Sequence, residues 1–269
     1  VDIDPLEFHL KNAQASGEVT PQKSFLRECA LAECLQTAAQ ASDYSRKRRE
    51  YAALRDAPGR YKKGIGLASS IHNAGGAKIH KSDGIGTILK VDDYARVTVI
   101  SGASEIGQGI DAVITLIVAE ELGVPLEHVT LVNNDSDIAP WDVGVHASRT
   151  TFIAGNGTRR AARKAKAQIL AAAEKMLGVA AQDLELRDGS VVREADGTSI
   201  IKLDRLLRQM HFQTVPELVM VTDYYEPKSE PEGAEHVSDH SAAYSHAVHV
   251  AEITVDHARV SERAEHVAE

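Results

Sequence analysis

Residues 95–122 decide the fold of this chain, and they read ARVTVIS GASEIGQG IDAVITLIVAEEL. β-Branched side chains dominate residues 95–101, which predicts a strand. Residues 102–109 hold three glycines and are typical of a tight loop. From Ile110 onward, apolar residues recur at helical spacing, and Gly123 follows the last of them. A strand, a glycine-rich loop and a helix are therefore predicted in direct succession.

A strand followed by a glycine-rich loop and a helix N-terminus is a common arrangement for binding anions. Unpaired backbone N–H groups and the helix dipole favour negative charge there. The spacing Gly102-x-x-x-x-Gly107 resembles a P-loop, but Gln108 stands where that motif needs Lys. A neutral Gln suits a bound phosphate or polar ligand atom better than a phosphoryl group in transfer. A tight turn that binds nothing explains the same glycines equally well.

The composition is that of a globular protein with an acidic balance. The chain has 269 residues, of which 43% are hydrophobic, and a net charge of -9 at pH 7. This charge disfavours binding to nucleic acids and to anionic membranes, and no apolar run approaches the roughly 20 residues of a membrane span. Cys29 and Cys34 lie in one predicted helix, at a spacing that fits no redox pair or iron–sulfur motif. We interpret them as buried thiols in a cytoplasmic protein without a signal peptide.

The order of predicted elements indicates an α+β fold, in which a mixed sheet packs against two long helices. Residues 1–60 are predicted to be a helical connecting segment, with one helix over residues 24–41. Residues 61–256 form the predicted main domain, and residues 257–269 an atypical tail. Val1 is not Met, and the strand predicted at residues 247–255 should need a partner beyond it. We therefore expect a piece of a longer protein.

Two groups of residues raise the question of a metal site. Asp137 and Asp142 lie in a polar loop, where aspartates that bond their own backbone are the more common explanation. The second group consists of four histidines near the end of the chain: His236, His240, His246 and His249. Their spacing fits neither a zinc finger nor a zincin helix, and two of them on one strand would point to opposite faces. Neither group predicts a metal site.

Several motifs occur in the order found in the xanthine dehydrogenase family, the molybdenum hydroxylases. They are VDIDPLEFHLKN at residues 1–12, SGASEIGQGID at 101–111, ELGVP at 121–125, ASRT at 147–150 and SAAYSHA at 241–247. The chain resembles the molybdenum-binding large subunit of that family from Val1 to about residue 256. The resemblance implies a molybdopterin cofactor-binding domain, which residues 61–256 would represent in part.

The resemblance also implies which residues bind the cofactor, and they lie at the starts of two helices. The implied cofactor-binding residues are Gly107, Gln108, Gly109, Ala147, Ser148, Arg149 and Thr150. The first loop would hold the pterin and the phosphate, and the second would present backbone N–H groups and hydroxyls. The implied cofactor is molybdenum–molybdopterin in its cytosine dinucleotide form. Its pterin dithiolene holds the metal, so no protein metal ligand is expected.

The remaining implications concern the parent enzyme. It would hydroxylate or reductively dehydroxylate an aromatic or acyl-CoA substrate, with an iron–sulfur subunit, an FAD subunit and the rest of the large subunit as partners. The family's catalytic glutamate has no counterpart in this chain, so we assign no catalytic residue and expect the chain alone to be inactive. Trp141, His146 and Arg149 flank the second loop and are candidates for a substrate route, although packing is the better interpretation of Trp141. The alternatives are a nucleotide-binding module and a structural domain.

Overall fold

The structure, a computed structural model, describes residues 3–75, 82–228 and 241–256. Within these residues the chain forms two compact units, which are described separately. The first unit contains residues 3–72 and 243–256, and the second contains residues 73–75, 82–228 and 241–242. This division differs from the predicted boundary at residue 60, because the strand that follows that boundary groups with the N-terminal helices.

The first unit combines three helices with a two-stranded sheet. Its elements are α1 (Pro5–Asn12), α2 (Leu31–Ala41), α3 (Tyr44–Ala53), β1 (Tyr61–Asn73) and β9 (Tyr244–Asp256). The Asp4 carboxylate accepts a hydrogen bond from the Leu6 N–H at 2.9 Å and so caps α1. β9 pairs with β1. The expected partner beyond residue 255 stays a prediction, because strand patterning reveals that a partner is needed but not where it lies.

The helix predicted over residues 24–41 is shorter than expected. An antiparallel bridge joins Val19 to Phe25, and Lys23 between them has a φ of 62°. This tight turn uses the backbone groups that a helix would need, so α2 begins only at Leu31. Cys29 therefore lies before the helix, whereas Cys34 lies within it. Both thiols are free and only half-buried, which corrects their interpretation as one buried helical pair.

The second unit is built on a four-stranded sheet in the order β4-β3-β2-β8. Its strands are β2 (Ile85–Val91), β3 (Val97–Ser101), β4 (Val129–Val132) and β8 (Val219–Tyr225). β2 forms a hairpin with β3 and also pairs with β8, in both cases in antiparallel fashion. β3 and β4 are parallel, and α4 (Ile110–Leu122) crosses between them. The loop that contains Gln108 thus lies at the carboxyl end of β3, where α/β units commonly bind ligands.

α5 (Thr150–Leu177) packs on the sheet together with α4 and completes the hydrophobic core. Its buried face consists largely of small residues, which lets the helix approach the strands closely: Ala154, Gly155, Gly157, Ala161, Ala162, Ala165, Ala172 and Ala173. At Gly157, an added Cβ would lie 2.9 Å from Cγ2 of Ile85 on β2. The predicted arrangement, a mixed sheet packed by two long helices in an α+β fold, is confirmed.

A smaller sheet completes the second unit. It contains β5 (Leu184–Arg187), β6 (Ser190–Arg193) and β7 (Ser199–Lys202), and α6 (Leu203–His211) follows it. The turn of the β5–β6 hairpin docks on the end of α4, where the Gly189 N–H donates to the Gly123 carbonyl at 2.6 Å.

We predict that Gly157→Ala destabilises the protein, because the new methyl group collides with the buried Ile85 side chain. Overpacking of this kind costs about 1–3 kcal/mol, which outweighs the gain of about 1 kcal/mol in helix propensity at most sites. Gly155→Ala is the matched control, since its Cβ would meet only the flexible end of Ile117 at 3.3 Å. Thermal unfolding should show a lower Tm for the first variant and an equal or higher Tm for the second. Equal Tm values for the two variants would contradict this account of the packing.

Candidate functional site

The glycine-rich loop before α4 is closed by its own carboxylate. Oε1 of Glu105 accepts hydrogen bonds from the backbone N–H groups of Gly107 at 2.6 Å and Gly109 at 3.1 Å. Oε2 accepts from the N–H of Asp111 in the first turn of α4 at 3.2 Å. The bonds from Gly109 and Asp111 hold the pKa of the Glu105 carboxyl below its ordinary value. The predicted anion site at this helix N-terminus is therefore filled from within the chain.

The glycines of this loop are needed for their backbone conformation. Gly107 and Gly109 have φ values of 102° and 83°, and an added Cβ at either position would meet no atom within 4 Å. Only a residue without Cβ adopts these angles without strain. Gly109 is also the N-cap of α4 and has no side chain that could accept a hydrogen bond. Glu105 supplies the missing acceptor from four residues upstream.

The Gln108 side chain bridges the same loop. Its Oε1 accepts from the Ile106 N–H at 2.7 Å, and its Nε2 donates to the Ser104 carbonyl at 2.8 Å. Both partners are exposed backbone groups, so water can replace them at little net cost. The predicted roles of Gly107, Gln108 and Gly109 in cofactor binding stay predictions. The structure adds that Gln108 is an exposed, neutral side chain beside an occupied helix N-terminus.

The start of α5 is formed by a strained turn. The Arg149 N–H donates to the His146 carbonyl at 3.0 Å, and the two residues between them, Ala147 and Ser148, have φ values of 47° and 52°. Two successive positive φ values are typical of a type I′ turn, which usually holds Gly or Asn. No side chain caps α5, and its first turn contains no acidic residue. The hydroxyls of Ser148 and Thr150 therefore do not cap this helix.

Arg149 is the most enclosed charge of the described residues, with a side chain that is 1% exposed. Its Nε donates to Oδ1 of Asp83 at 2.7 Å, and its Nη1 donates to Oδ2 of Asp142 at 2.8 Å. Nη1 also reaches the Gly144 carbonyl, and Nη2 reaches the carbonyls of Asp83 and Gly84. All three nitrogens of the planar guanidinium thus donate hydrogen bonds to protein groups, which a buried Arg side chain requires. We call Arg149, Asp83 and Asp142 the buried ion cluster.

The buried ion cluster changes the interpretation of two residues. Because the guanidinium of Arg149 is enclosed and bonded to protein groups, no free N–H of this side chain is left to line a substrate route. Asp142, considered as a metal ligand, binds Arg149 with both carboxylate oxygens. The predicted contact of Arg149 with the cofactor stays a prediction.

The two predicted loops lie at the same end of the main sheet. A Cβ at Gly102, just after β3, would collide with the Pro140 carbonyl and with Cβ of Asp142. Asp142 in turn bridges to Ile85 at the start of β2 and binds Arg149 at the start of α5. The chain thus connects the loop of Gln108 to the turn of Ala147 and Ser148 through close packing and the buried ion cluster.

His146 carries two polar atoms that lack a partner. Its Nδ1 and Nε2 are shielded from solvent and have no hydrogen-bond partner among the described residues. Nε2 lies 3.9 Å from Oδ1 of Asp83, beyond hydrogen-bonding distance. Unpaired buried polar atoms are rare and costly, so they often mark a place where a ligand or water binds. Trp141 is 55% exposed and lies near Tyr224, with 6.4 Å between the ring centroids.

The structure gives no support to a metal site made of side chains. Across residues 3–75, 82–228 and 241–256, no three His, Cys, Asp or Glu side chains are placed to share an ion. Asp137 donates its backbone N–H to Asp135, as a turn residue does. His246 lies on the half-buried face of β9 and His249 on the exposed face, whereas His236 and His240 lie outside the described residues. In the described part of the chain no helix has the length and apolar character that crossing a membrane requires.

Two side chains that shape the candidate site, Glu105 and Asp83, were not predicted from the sequence. Glu105 lies inside the quoted loop, but nothing in its spacing indicated that its carboxylate would fold back onto three N–H groups. Asp83 binds Arg149 from 66 residues away, and no local pattern links the two.

We predict that Arg149→Met lowers the free energy of unfolding by about 3–5 kcal/mol, because it removes the positive charge that balances two enclosed carboxylates. The free energy of unfolding of Arg149→Lys should lie between those of Arg149→Met and the wild type. Lys restores the charge but not the planar set of donors. Urea unfolding monitored by circular dichroism would measure both.

The matched control is Arg159→Met on the exposed face of the same helix. Arg159 is 50% exposed and pairs with Glu121, which Arg163 also contacts. Its loss should cost less than about 1 kcal/mol. Equal losses in the free energy of unfolding for Arg149→Met and Arg159→Met would show that the buried ion cluster stabilises the fold no more than an exposed ion pair does.

The sequence has relatives among known proteins that bind molybdenum or form dehydrogenase complexes. The xanthine dehydrogenase molybdenum-binding subunit of Escherichia coli O157:H7 is 33% identical over 196 residues, which cover 71% of this chain and 25% of that protein. The 6-hydroxypseudooxynicotine dehydrogenase complex subunit gamma of Paenarthrobacter nicotinovorans is 37% identical over 153 residues, or 57% of this chain and 18% of that protein. The chain therefore spans a quarter or less of these relatives.

The fold has counterparts among solved structures. Reconstituted CO dehydrogenase from Oligotropha carboxidovorans superimposes with a TM-score of 0.77 at 22% identity, over 95% of this chain and 32% of that one. A family model described as the molybdopterin cofactor-binding domain matches residues 37–267, which include both candidate loops. This chain therefore belongs to the molybdopterin cofactor-binding domain family of the xanthine dehydrogenase type.

Proposed function

We propose that this chain is part of the molybdenum cofactor-binding large subunit of an oxidoreductase. The parent enzyme hydroxylates or reductively dehydroxylates an aromatic or CoA-linked substrate, and the α subunit of 4-hydroxybenzoyl-CoA reductase is the proposed counterpart. The motifs at residues 101–111 and 241–247 support a large subunit of this family, and membership of the cofactor-binding family supports the cofactor.

One observation carries the proposal: two loops of the expected kind lie at one end of one sheet. The loop after β3 offers Gln108, a neutral side chain with one donor group and one acceptor group. The turn before α5 offers Ala147 and Ser148 and leads into a helix that no side chain caps. The buried ion cluster holds the second loop against the strand that begins beside it, so the donors are positioned before a ligand arrives.

The polar groups at this end of the sheet fit a pterin cofactor. A pterin offers many donors and acceptors in one plane, and His146 has two shielded ring nitrogens that need partners. The backbone N–H groups in the first turn of α5 suit an anionic oxygen, because a helix N-terminus favours negative charge. Glu105 fills the corresponding position at α4, which leaves the loop of Gln108 suited to uncharged atoms of the cofactor.

In this proposal the cofactor is molybdopterin, in its cytosine dinucleotide form, and the metal is held by the pterin dithiolene. When bound, it supplies two-electron redox chemistry at molybdenum. The residues of this chain orient the cofactor: Gln108 from one side, and Ala147, Ser148 and Thr150 from the other. An iron–sulfur subunit, an FAD subunit and the rest of the large subunit are the proposed partners. The proton-transfer group is not among the residues of this chain.

A nucleotide-binding module with a degenerate P-loop is the second candidate. It needs free N–H groups around Gly107 and Gly109 for the phosphates, and a cation beside them. The structure instead places the Glu105 carboxylate on those N–H groups. The charge in the loop is thus of the wrong sign for a triphosphate, which favours the molybdopterin proposal over this one. In the third candidate, a structural domain, both turns serve packing only.

We predict that Gln108→Ala weakens retention of the pterin when the chain is produced in a host that makes the cofactor. Loss of one or two hydrogen bonds to a ligand corresponds to roughly two- to tenfold weaker binding. The purified protein would be assayed for molybdenum by mass spectrometry and for the fluorescent oxidised pterin after extraction. Both signals should be present in the wild type and reduced in parallel in the variant.

Gln168→Ala is the matched control, because Gln168 is exposed on α5, away from its N-terminus. It should retain as much pterin as the wild type. An ATP titration of the same preparations distinguishes the second candidate, which predicts binding that Gln108→Ala weakens. A folded wild-type chain that holds no molybdenum and no pterin would contradict the proposal that these two loops suffice to bind the cofactor.

A further inference from the structure

We propose that Glu105 is a positioning residue that occupies the N-terminus of α4, keeps anions out of it and thereby fixes the loop that presents Gln108. The part of this inference that concerns the cofactor, the positioning of Gln108, rests on the proposed function. Its first part, that an internal carboxylate fills the anion site, concerns this chain alone and can be tested without any cofactor.

The hydrogen bonds around Glu105 leave no room for a second anion. Its two oxygens accept from the N–H groups of Gly107, Gly109 and Asp111, which are the groups that a phosphate would use. The first bond within the helix, from the Val113 N–H to the Gly109 carbonyl, follows directly after them. A phosphate could reach these donors only by displacing the carboxylate.

The charges at this position also exclude a second anion. The dipole of α4 places roughly half a positive charge at its N-terminus, whereas Glu105 carries a full negative charge. Asp111 adds a second carboxylate in the first turn, and its Oδ1 accepts from Nδ2 of Asn133 at 2.6 Å. The local field is therefore negative once Glu105 is in place, and it repels phosphate. α5 differs in this respect, since no acidic residue lies in its first turn.

The same contacts determine where Gln108 points. Glu105 binds the N–H groups on both sides of Gln108, those of Gly107 and Gly109, and so holds the backbone of the loop at two points. Both glycines have positive φ, a conformation in which the chain has many alternatives when nothing restrains it. Without the carboxylate, the loop would lose its restraint and Gln108 its fixed position.

The test uses the 15N-labelled chain without cofactor and follows the amide signals of Gly107, Gly109 and Asp111 by NMR. Inorganic phosphate is added at constant ionic strength. In the wild type these signals should show no saturable shift. In Glu105→Ala they should shift together and saturate, with at least about tenfold tighter apparent binding than in the wild type. Acetate should compete with phosphate in the variant, because it replaces the lost carboxylate.

Two further variants keep the test decisive. Glu105→Gln preserves the shape and one acceptor oxygen, so it should fold even where Glu105→Ala does not, and it should bind phosphate more tightly than the wild type. Glu120→Gln removes the same charge from an exposed position near the other end of α4 and should behave as the wild type. Saturable phosphate binding in the wild type at these amides, or none in a folded Glu105→Gln, overturns the proposal.

The pH dependence of stability gives an independent prediction. Because the pKa of the Glu105 carboxyl is depressed in the folded chain, its contribution to stability is present above the unfolded pKa of about 4.3 and is lost as the pH falls through the folded value. The Tm of the wild type should therefore exceed that of Glu105→Gln near neutral pH, and this difference should shrink as the pH falls below the unfolded pKa of about 4.3. A constant difference down to acid pH would contradict this assignment.

The link to the cofactor is tested last, by extracting pterin from Glu105→Gln and from the wild type after production in a host that makes the cofactor. Lower retention in the variant, together with new phosphate binding at the amides of Gly107 and Gly109, supports the positioning role. Equal retention overturns it. A wild type without pterin would contradict the proposal that the two loops suffice to bind the cofactor. It would leave the phosphate titration valid, so the two failures are distinguishable.

Discussion

The structure of the candidate site depends on a single buried guanidinium. Arg149 joins the segment before β2, the loop around Asp142 and the start of α5, and its side chain is 1% exposed. Enclosing one positive and two negative groups is expensive, and the attraction between them repays the cost only when the geometry is nearly ideal. Such a cluster tolerates few alternative arrangements. It therefore holds the three segments in one relative position before any ligand is bound.

The strain in the neighbouring turn follows from this constraint. A left-handed conformation costs a residue with a Cβ roughly 1–2 kcal/mol, and Ala147 and Ser148 both adopt it. The turn persists because it is held on both sides: Arg149 anchors its end, and the Ala147 carbonyl accepts from the Gly75 N–H at 3.0 Å. Strain that the surroundings maintain is characteristic of binding sites, where it presents backbone groups that a relaxed chain would turn away.

Local sequence patterns were sufficient for the elements that carry the site, and insufficient for the contacts that shape it. The β2–β3 hairpin, α4 and α5 follow from periods of 2 and 3.6 residues, which depend only on near neighbours. The pairing of β9 with β1 and the bond between Asp83 and Arg149 depend on residues far apart in the chain, about which periodicity says nothing. Asp142 is an example of this limit of local patterns. From the sequence it could be a turn residue, a metal ligand or an ion-pair partner, and only the position of Arg149 distinguishes these roles.

The position of Gln108 can now be understood in electrostatic terms. In a P-loop, the helix N-terminus is empty of protein charge, and a Lys beside it helps to neutralise the phosphates. Here the Glu105 carboxylate already satisfies the N–H groups of Gly107 and Gly109. A Lys at position 108 would pair with this carboxylate and would be held back from a ligand. A neutral side chain with both a donor and an acceptor avoids that pairing. The negative charge of Glu105 therefore explains why a neutral Gln108, and not a Lys, suits this loop.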